Sequence, residues 1–458
     1  MLNRFFSVLP QRIRNIEELA SFLSYRTRTL KELIEENLGF STSLKKTSTL
    51  VATYNVVKEN IYNNNFSTNE FADSISQTIT YGFFIARLNN KNNEKIDFYN
   101  IKKFIPSNFS LIRDILKLID DIGTNDEYNS LRWILEEIIN VINNIDTKFI
   151  FKEFSFTKNK ENLKDPYLYF YEDFLAKYDA KLRKAKGVYY TPHSVVSFIV
   201  NSLHKVLKKE FKLNYGFANR DKVTVLDFAT GTGTFLLEVI KTILSEIPID
   251  SGKQEDYINL HILKNVYGFE YLMAPYVVGH LKLGQYLKEI CNVDFNSENT
   301  KLQIFLTNTI DKTELSDQKS FKAFFPAISE ENELTNKVKE KQILVILGNP
   351  PYSSDSKNNN EYILNLVNDY KKIENKSINE KNLKPLNDDY TKFIRFAEHR
   401  IESSDEGLLG IITNNGYLDN VTFRGMRYHL LKTFDEIYIL NLHGSSRKKR
   451  NNRWWQYG

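Results

Sequence analysis

The apolar run Ile343-Leu344-Val345-Ile346-Leu347-Gly348 leads directly into Asn349-Pro350-Pro351-Tyr352. A short apolar run closed by a polar residue and two prolines reads as a buried strand that stops abruptly, because proline has no N–H to extend a ladder. In open α/β sheets the carboxyl ends of the strands are where ligands bind. The tetrapeptide also suits a narrow chemistry. The side-chain carbonyl of Asn349 and the backbone carbonyl of Pro350 can both accept hydrogen bonds from one planar amino group. The fixed φ of Pro350 and Pro351 leaves those acceptors little freedom. Tyr352 offers a flat face to a base turned out of its stack. Taken alone, the same four residues would serve equally well as a loop turn.

The choice is made upstream. Val223-Thr224-Val225-Leu226-Asp227 reads as a strand, Phe228-Ala229-Thr230-Gly231-Thr232-Gly233-Thr234 as a tight turn, and Phe235 opens a helix. Glycines at such a turn let the backbone approach a cofactor closely. A dinucleotide fingerprint would need a third glycine where Leu236 stands. The next strand, Val266-Tyr267-Gly268-Phe269-Glu270, ends on a carboxylate that can accept both hydroxyls of a ribose. Before all of these comes Gly187-Val188-Tyr189-Tyr190-Thr191-Pro192, where Thr191 and Pro192 make a good helix start ahead of the apolar segment 195–207. By itself that segment is only a capped helix.

In this chain order the three motifs resemble the DNA adenine methylases of the gamma arrangement. The resemblance also covers residues 71–83, 165–192, 268–286, 302–311 and 388–449. It is to the large adenine-specific methylases of bacterial restriction-modification systems, in particular the methylase part of single-chain Type ISP enzymes. One departure is Phe228, where the family usually has proline. The resemblance implies S-adenosyl-L-methionine as cofactor. It would be held by Tyr190, Thr191 and Pro192 over the methionine moiety, and by Asp227, Ala229, Thr230, Gly231, Gly233 and Glu270. Asp311 is a candidate beside the cofactor's adenine. Asn349, Pro350, Pro351 and Tyr352 are the catalytic residues it implies. The implied fold is α/β, a doubly wound Rossmann-like methyltransferase sheet preceded by an all-α helical domain. The implied activity is methyl transfer to the exocyclic amino group of an adenine flipped out of double-stranded DNA, in a cytoplasmic protein with restriction-modification partner subunits or domains. Two other readings stand beside it: a non-catalytic remnant that only binds cofactor, and a protein glutamine methyltransferase, which uses the same tetrapeptide in shorter chains.

The rest of the chain sets bounds. With 458 residues, 41% of them hydrophobic, two or three domains with proper cores are affordable. A single cysteine, Cys291, excludes a disulfide framework and a cysteine zinc cluster, and fits a reducing compartment. The seven histidines show no ligand spacing, so no metal is expected. No apolar run is long enough to span a bilayer. A net charge of +5 is compatible with nucleic acid without pointing to it. A phosphate loop of the P-loop kind and a nuclease carboxylate cluster are both absent from the sequence.

Helical spacing over 16–23, 30–36, 72–88 and 131–142 places a helical domain in residues 1–150. A connecting segment, 151–186, leads to a catalytic domain over 187–445, where strands alternate with helices. Further strands are expected at 302–306, 407–412 and 436–440, and the polar insertion 357–387 has the length and placement of a mobile loop over a target base. Residues 446–458 read as an aberrant tail. Up to Lys449 the chain follows the family, which then continues with an acidic, glycine-bearing stretch. Trp454 and Trp455, read one nucleotide later, give Gly-Gly, so a frameshift near codon 450 and loss of the target-recognition domain are expected.

Overall fold

A computed structural model describes residues 12–43, 48–157, 165–179, 191–247, 251–295, 300–312, 319–354 and 356–442. Tyr189, Tyr190 and the tail 446–458 lie outside the described residues.

The first part is helical, as the periodicity predicts: α1 (Ile16–Ser43), α2 (Thr49–Asn60), α3 (Thr68–Asn89), α4 (Ser110–Thr124), α5 (Asn129–Asn143), α6 (Thr147–Glu153) and α7 (Pro166–Tyr178). The start of α3 follows from its sequence. The Ser67 hydroxyl accepts from the Glu70 N–H while the Glu70 carboxylate accepts from the Ser67 N–H, a reciprocal cap. Every residue of α3 from Phe71 to Leu88 is buried, so this is the central helix of the bundle. The helix α7 lies inside the expected connecting segment and packs on α1, where the Arg28 guanidinium donates to the Tyr178 carbonyl at 3.0 Å.

The second part is α8 (His193–Lys209), β1 (Val225–Asp227), α9 (Thr234–Ser245), β2 (Val266–Glu270), α10 (Met273–Cys291), β3 (Gln303–Leu306), α11 (Pro326–Glu340), β4 (Val345–Gly348), α12 (Glu361–Val367), α13 (Asp389–Glu402), β5 (Leu408–Ile411) and α14 (Arg424–Thr433). The five strands form one parallel sheet in the order β3-β2-β1-β4-β5. The strand order reverses between β1 and β4, which makes their carboxyl ends the place for a ligand.

Side-chain alternation divides the core into two layers. Val225, Val266, Ile304, Val345 and Leu347 point into the same core as the helical bundle. Leu226, Tyr267, Phe269, Phe305 and Ile346 face the opposite layer, built from α12, α13 and α14. The bundle is therefore packed on the sheet's own core: α3 lies against α10, and Lys288 of α10 donates to the Asn89 side chain at 3.1 Å.

Two expectations are corrected. Residues 436–440 join no strand, and Ile437, Tyr438, Ile439 and Leu440 are exposed. Their β-prone composition is satisfied only by a neighbouring strand edge, and none of the described residues supplies one. The insertion 357–387 is not an open loop. Ile363, Val367, Tyr370 and Leu386 are fully buried in the second core layer, and the Tyr370 hydroxyl donates to Glu398 at 2.7 Å.

Candidate active site

The turn after β1 is built around its glycines. Gly231 has φ +54° and Gly233 φ +78°, conformations that other residues adopt only with strain. A Cβ at Gly231 would meet nothing within 4 Å, so the turn faces open space on that side. The Thr230 N–H donates to the Phe269 carbonyl at 3.0 Å and its hydroxyl to the Asp227 carbonyl at 3.0 Å, which ties the turn to the ends of β1 and β2. Ala229 donates its N–H to Asp227 Oδ1 at 3.2 Å.

Two buried carboxylates sit at this edge. Glu270 accepts from the Gly231 N–H and the Leu272 N–H, both at 2.7 Å. Burial raises its carboxyl above the usual range. Asp227 is fully buried and its Oδ2 has no hydrogen-bond partner. Burial, with the Glu270 charge adding to it, pushes the Asp227 carboxyl up to about 8. A buried polar atom without a partner is costly, and a cationic or donor group placed there would relieve it. The set of an unpartnered carboxylate, an open glycine turn and a strand-end glutamate fits a cofactor carrying an amino group and a ribose.

The tetrapeptide follows β4 directly. Gly348 has φ +146°, and a Cβ there would lie 2.8 Å from Asp227 Oδ1 and from the Phe228 ring, so β1 and β4 approach as closely as glycine allows. The Asn349 amide donates to the Thr191 hydroxyl at 3.1 Å. The Tyr352 hydroxyl lies 2.8 Å from Asn349 Oδ1 and 3.2 Å from the Ile412 carbonyl. Thr191 and Pro192, the glycine turn and the tetrapeptide thus meet on one sheet edge although Thr191 and Asn349 are 158 positions apart. Burial pushes the Tyr352 hydroxyl up to about 12, so it remains a donor at neutral pH. Tyr390 lies 6.3 Å from the Tyr352 ring, and Phe393 stacks edge-on against Phe228 at 5.3 Å. Phe228, where the resembled family has proline, is thereby a buried part of the aromatic layer behind the site.

Asp311 is buried, and Asn63 of the helical bundle donates to its carboxylate at 2.6 Å. Several residues near the site carry no local signal in the sequence. Asn308, just beyond β3, donates to Asn358 at 2.9 Å and so links β3 to the segment after the tetrapeptide. Lys282 is fully buried behind the glycine turn, 2.7 Å from Asp165 and 3.1 Å from the Thr234 hydroxyl. Among the described residues no group of three His, Cys, Asp or Glu could hold a metal ion, and no helix is long and apolar enough to cross a membrane.

Residues 163–428 match the profile of the N-6 DNA Methylase family, and the chain belongs to that family. Its class is therefore that of the N-6 DNA methylases. No curated protein matches the sequence significantly. Among solved structures, the fold is similar to DrdV in complex with DNA, with a TM-score of 0.63 and 21% identity over 95% of this chain and 39% of that one. It is similar to the ATP-dependent Type ISP restriction-modification enzyme LlaBIII bound to DNA, with a TM-score of 0.64 and 22% identity over 91% of this chain and 26% of that one. A nuclease-deletion mutant of the Type ISP enzyme LlaGI, with a DNA substrate mimic, gives 0.61 and 21% identity over 94% of this chain and 33% of that one. The chain thus spans well under half the length of these proteins, and the likeness is one of fold.

Proposed function

We propose that this chain is the methylating part of a DNA restriction-modification enzyme and transfers a methyl group from S-adenosylmethionine to N6 of an adenine turned out of DNA. The observation that carries the reading is the convergence of Asn349, Thr191 and the glycine turn beside Asp227 at the strand-order reversal. When bound, the cofactor supplies an activated methyl group. Asp227 would accept from its amino group, Glu270 from the ribose hydroxyls, and the Gly231 turn would lie against it. Thr191, Pro192 and, by the resemblance, Tyr190 would close over the methionine end.

The adenine amino lone pair is delocalised into the ring and is a poor nucleophile. Asn349 Oδ1 and the Pro350 carbonyl both accept from that nitrogen, and they do so more strongly as it becomes pyramidal and positive. This is differential binding of the transition state, and it needs no covalent nucleophile. The Tyr352 hydroxyl holds Asn349 Oδ1 in place, and a carbonyl oxygen has a second lone pair for the substrate. Stacking on Tyr352, about 1–3 kcal/mol per base, offsets part of the few kcal/mol needed to unstack and unpair the base.

The test is labelled methyl transfer to an adenine-containing duplex. Asn349→Ala should retain binding of S-adenosylhomocysteine while transfer falls by about two orders of magnitude, the usual effect of losing one such acceptor or donor. Methylation by the variant at the parent rate would sink the scheme.

A further inference from the structure

Above the ends of β2 and β3 lies the turn joining α2 to α3, which belongs to the helical bundle. Asn63 and Asn64 in this turn have φ +46° and +64°, so the chain folds back tightly there. Tyr62 is buried, with its ring stacked on Phe66 at 3.8 Å and edge-on to Tyr271 at 4.8 Å. Its hydroxyl donates to the Tyr271 carbonyl at 3.1 Å. The next residue, Asn63, donates to Asp311 Oδ2 at 2.6 Å. Just inside α3, Glu70 pairs with Lys357 at 2.9 Å. This turn and the first turn of α3 therefore touch the residue after Glu270, the segment after β3 and the segment after the tetrapeptide.

The neutral Asn63 amide has a charged acceptor, and hydrogen bonds to charged groups are the stronger kind. They also fix direction, since the amide leaves the Asp311 carboxylate only certain orientations. Tyr62 does the same for Tyr271 through both its ring and its hydroxyl. Tyr271 follows Glu270 directly, and the Glu270 backbone carbonyl accepts from the Thr307 N–H at 2.8 Å, which ties the end of β2 to the segment that leads to Asp311.

We infer that the helical bundle completes the adenosine end of the cofactor site, with Asn63 and Tyr62 as positioning residues. Asn63 orients Asp311 toward the exocyclic amino group of the cofactor's purine, and Tyr62 sets the Tyr271 wall against the purine face. The inference rests on the cofactor reading given above.

Calorimetry with S-adenosylhomocysteine and with S-inosylhomocysteine, where an oxo group replaces the amino group, tests it on the whole chain. The parent should prefer the adenosyl compound by about tenfold or more, the worth of one hydrogen bond to a charged group. Asn63→Gly keeps the left-handed turn accessible and removes the side chain. It should bring the preference below about threefold, mainly through the adenosyl compound. Tyr62→Phe keeps the ring and should weaken both compounds alike. A purely structural role for Asn63 would weaken both equally and leave the ratio unchanged, and that result overturns the inference. If the parent bound neither compound, the cofactor reading itself would fall and this inference with it. Asn63→Ser serves as the second variant should the glycine protein not fold.

Discussion

Replacing Lys282 by methionine should destabilise the protein by about 3–5 kcal/mol, the cost of leaving a buried charge without its partner. The Lys282 side chain is 0% exposed, its ammonium lies 2.7 Å from Asp165, and the Asp165 side chain is only 17% exposed. Methionine replaces the aliphatic stem with a flexible apolar chain, so most packing is kept and the loss is chiefly electrostatic. What remains is a carboxylate facing an apolar thioether. Typical domains are stable by about 5–15 kcal/mol, so the loss is a large share of the total. The same argument fixes the rescue. Asp165 also caps α7, accepting from the Tyr167 and Leu168 N–H groups at 3.1 Å, and asparagine caps nearly as well. Lys282→Met combined with Asp165→Asn should therefore cost less than the two single losses added together, with a coupling of about 2–3 kcal/mol in the four-variant cycle. Urea unfolding followed by circular dichroism at neutral pH measures all four proteins. The reasoning is refuted if the single variant loses less than about 1 kcal/mol, or if the two single losses simply add in the double variant.

Three further outcomes are expected. Asp227 has its folded carboxyl near 8 against an ordinary 3.8, so the folded state keeps a proton that the unfolded chain releases. Its contribution to stability is thus full at low pH and is lost as pH rises from about 4 through about 8. A cationic amino group docking beside it should expel that proton, so the heat of S-adenosylhomocysteine binding at neutral pH should vary with buffer ionisation enthalpy in the parent and not in Asp227→Asn. A parent heat independent of buffer contradicts this. Gly268→Ala would place a Cβ 2.6 Å from the Thr230 hydroxyl and 2.9 Å from Leu236 Cδ1. It should cost about 1–3 kcal/mol and weaken cofactor binding by shifting the turn; unchanged melting and affinity would speak against the tight approach. Ile439→Lys breaks the exposed apolar run 437–440 and should lower self-association in sedimentation while changing stability by under about 0.5 kcal/mol. Equal sedimentation of parent and variant would show that the run is inert.

Where the candidate site's strands end was legible from residues because those signals are local. The tetrapeptide, the glycine turn and Glu270 each combine an apolar strand with a polar end, and β4, β1 and β2 stop where those signals stand. The helical nature of the first part was readable for a similar reason, since α5 carries one apolar face at the helical spacing read over 131–142. The central helix α3 is buried all round, and its amphipathic reading understated how deep it lies.

Sequence by itself determined which elements exist and which of their ends carry acceptors, because periodicity and proline act within a few residues. Tertiary structure alone decided what those ends meet. Asn63 and Asp311 are 248 positions apart, Lys282 and Asp165 are 117 apart, and neither pair leaves a spacing that a pattern could detect. The segment 436–440 shows the same limit from the other side. Its residues favour a strand, yet a strand is a pairing, and the partner edge is not a property of the segment. The polar insertion became a packed element because four apolar side chains reach a core layer that forms only once the sheet has assembled. Pairing, burial and the closing of a buried charge by its counter-charge are properties of distances in space, and these arise only when the sheet brings its strand ends together.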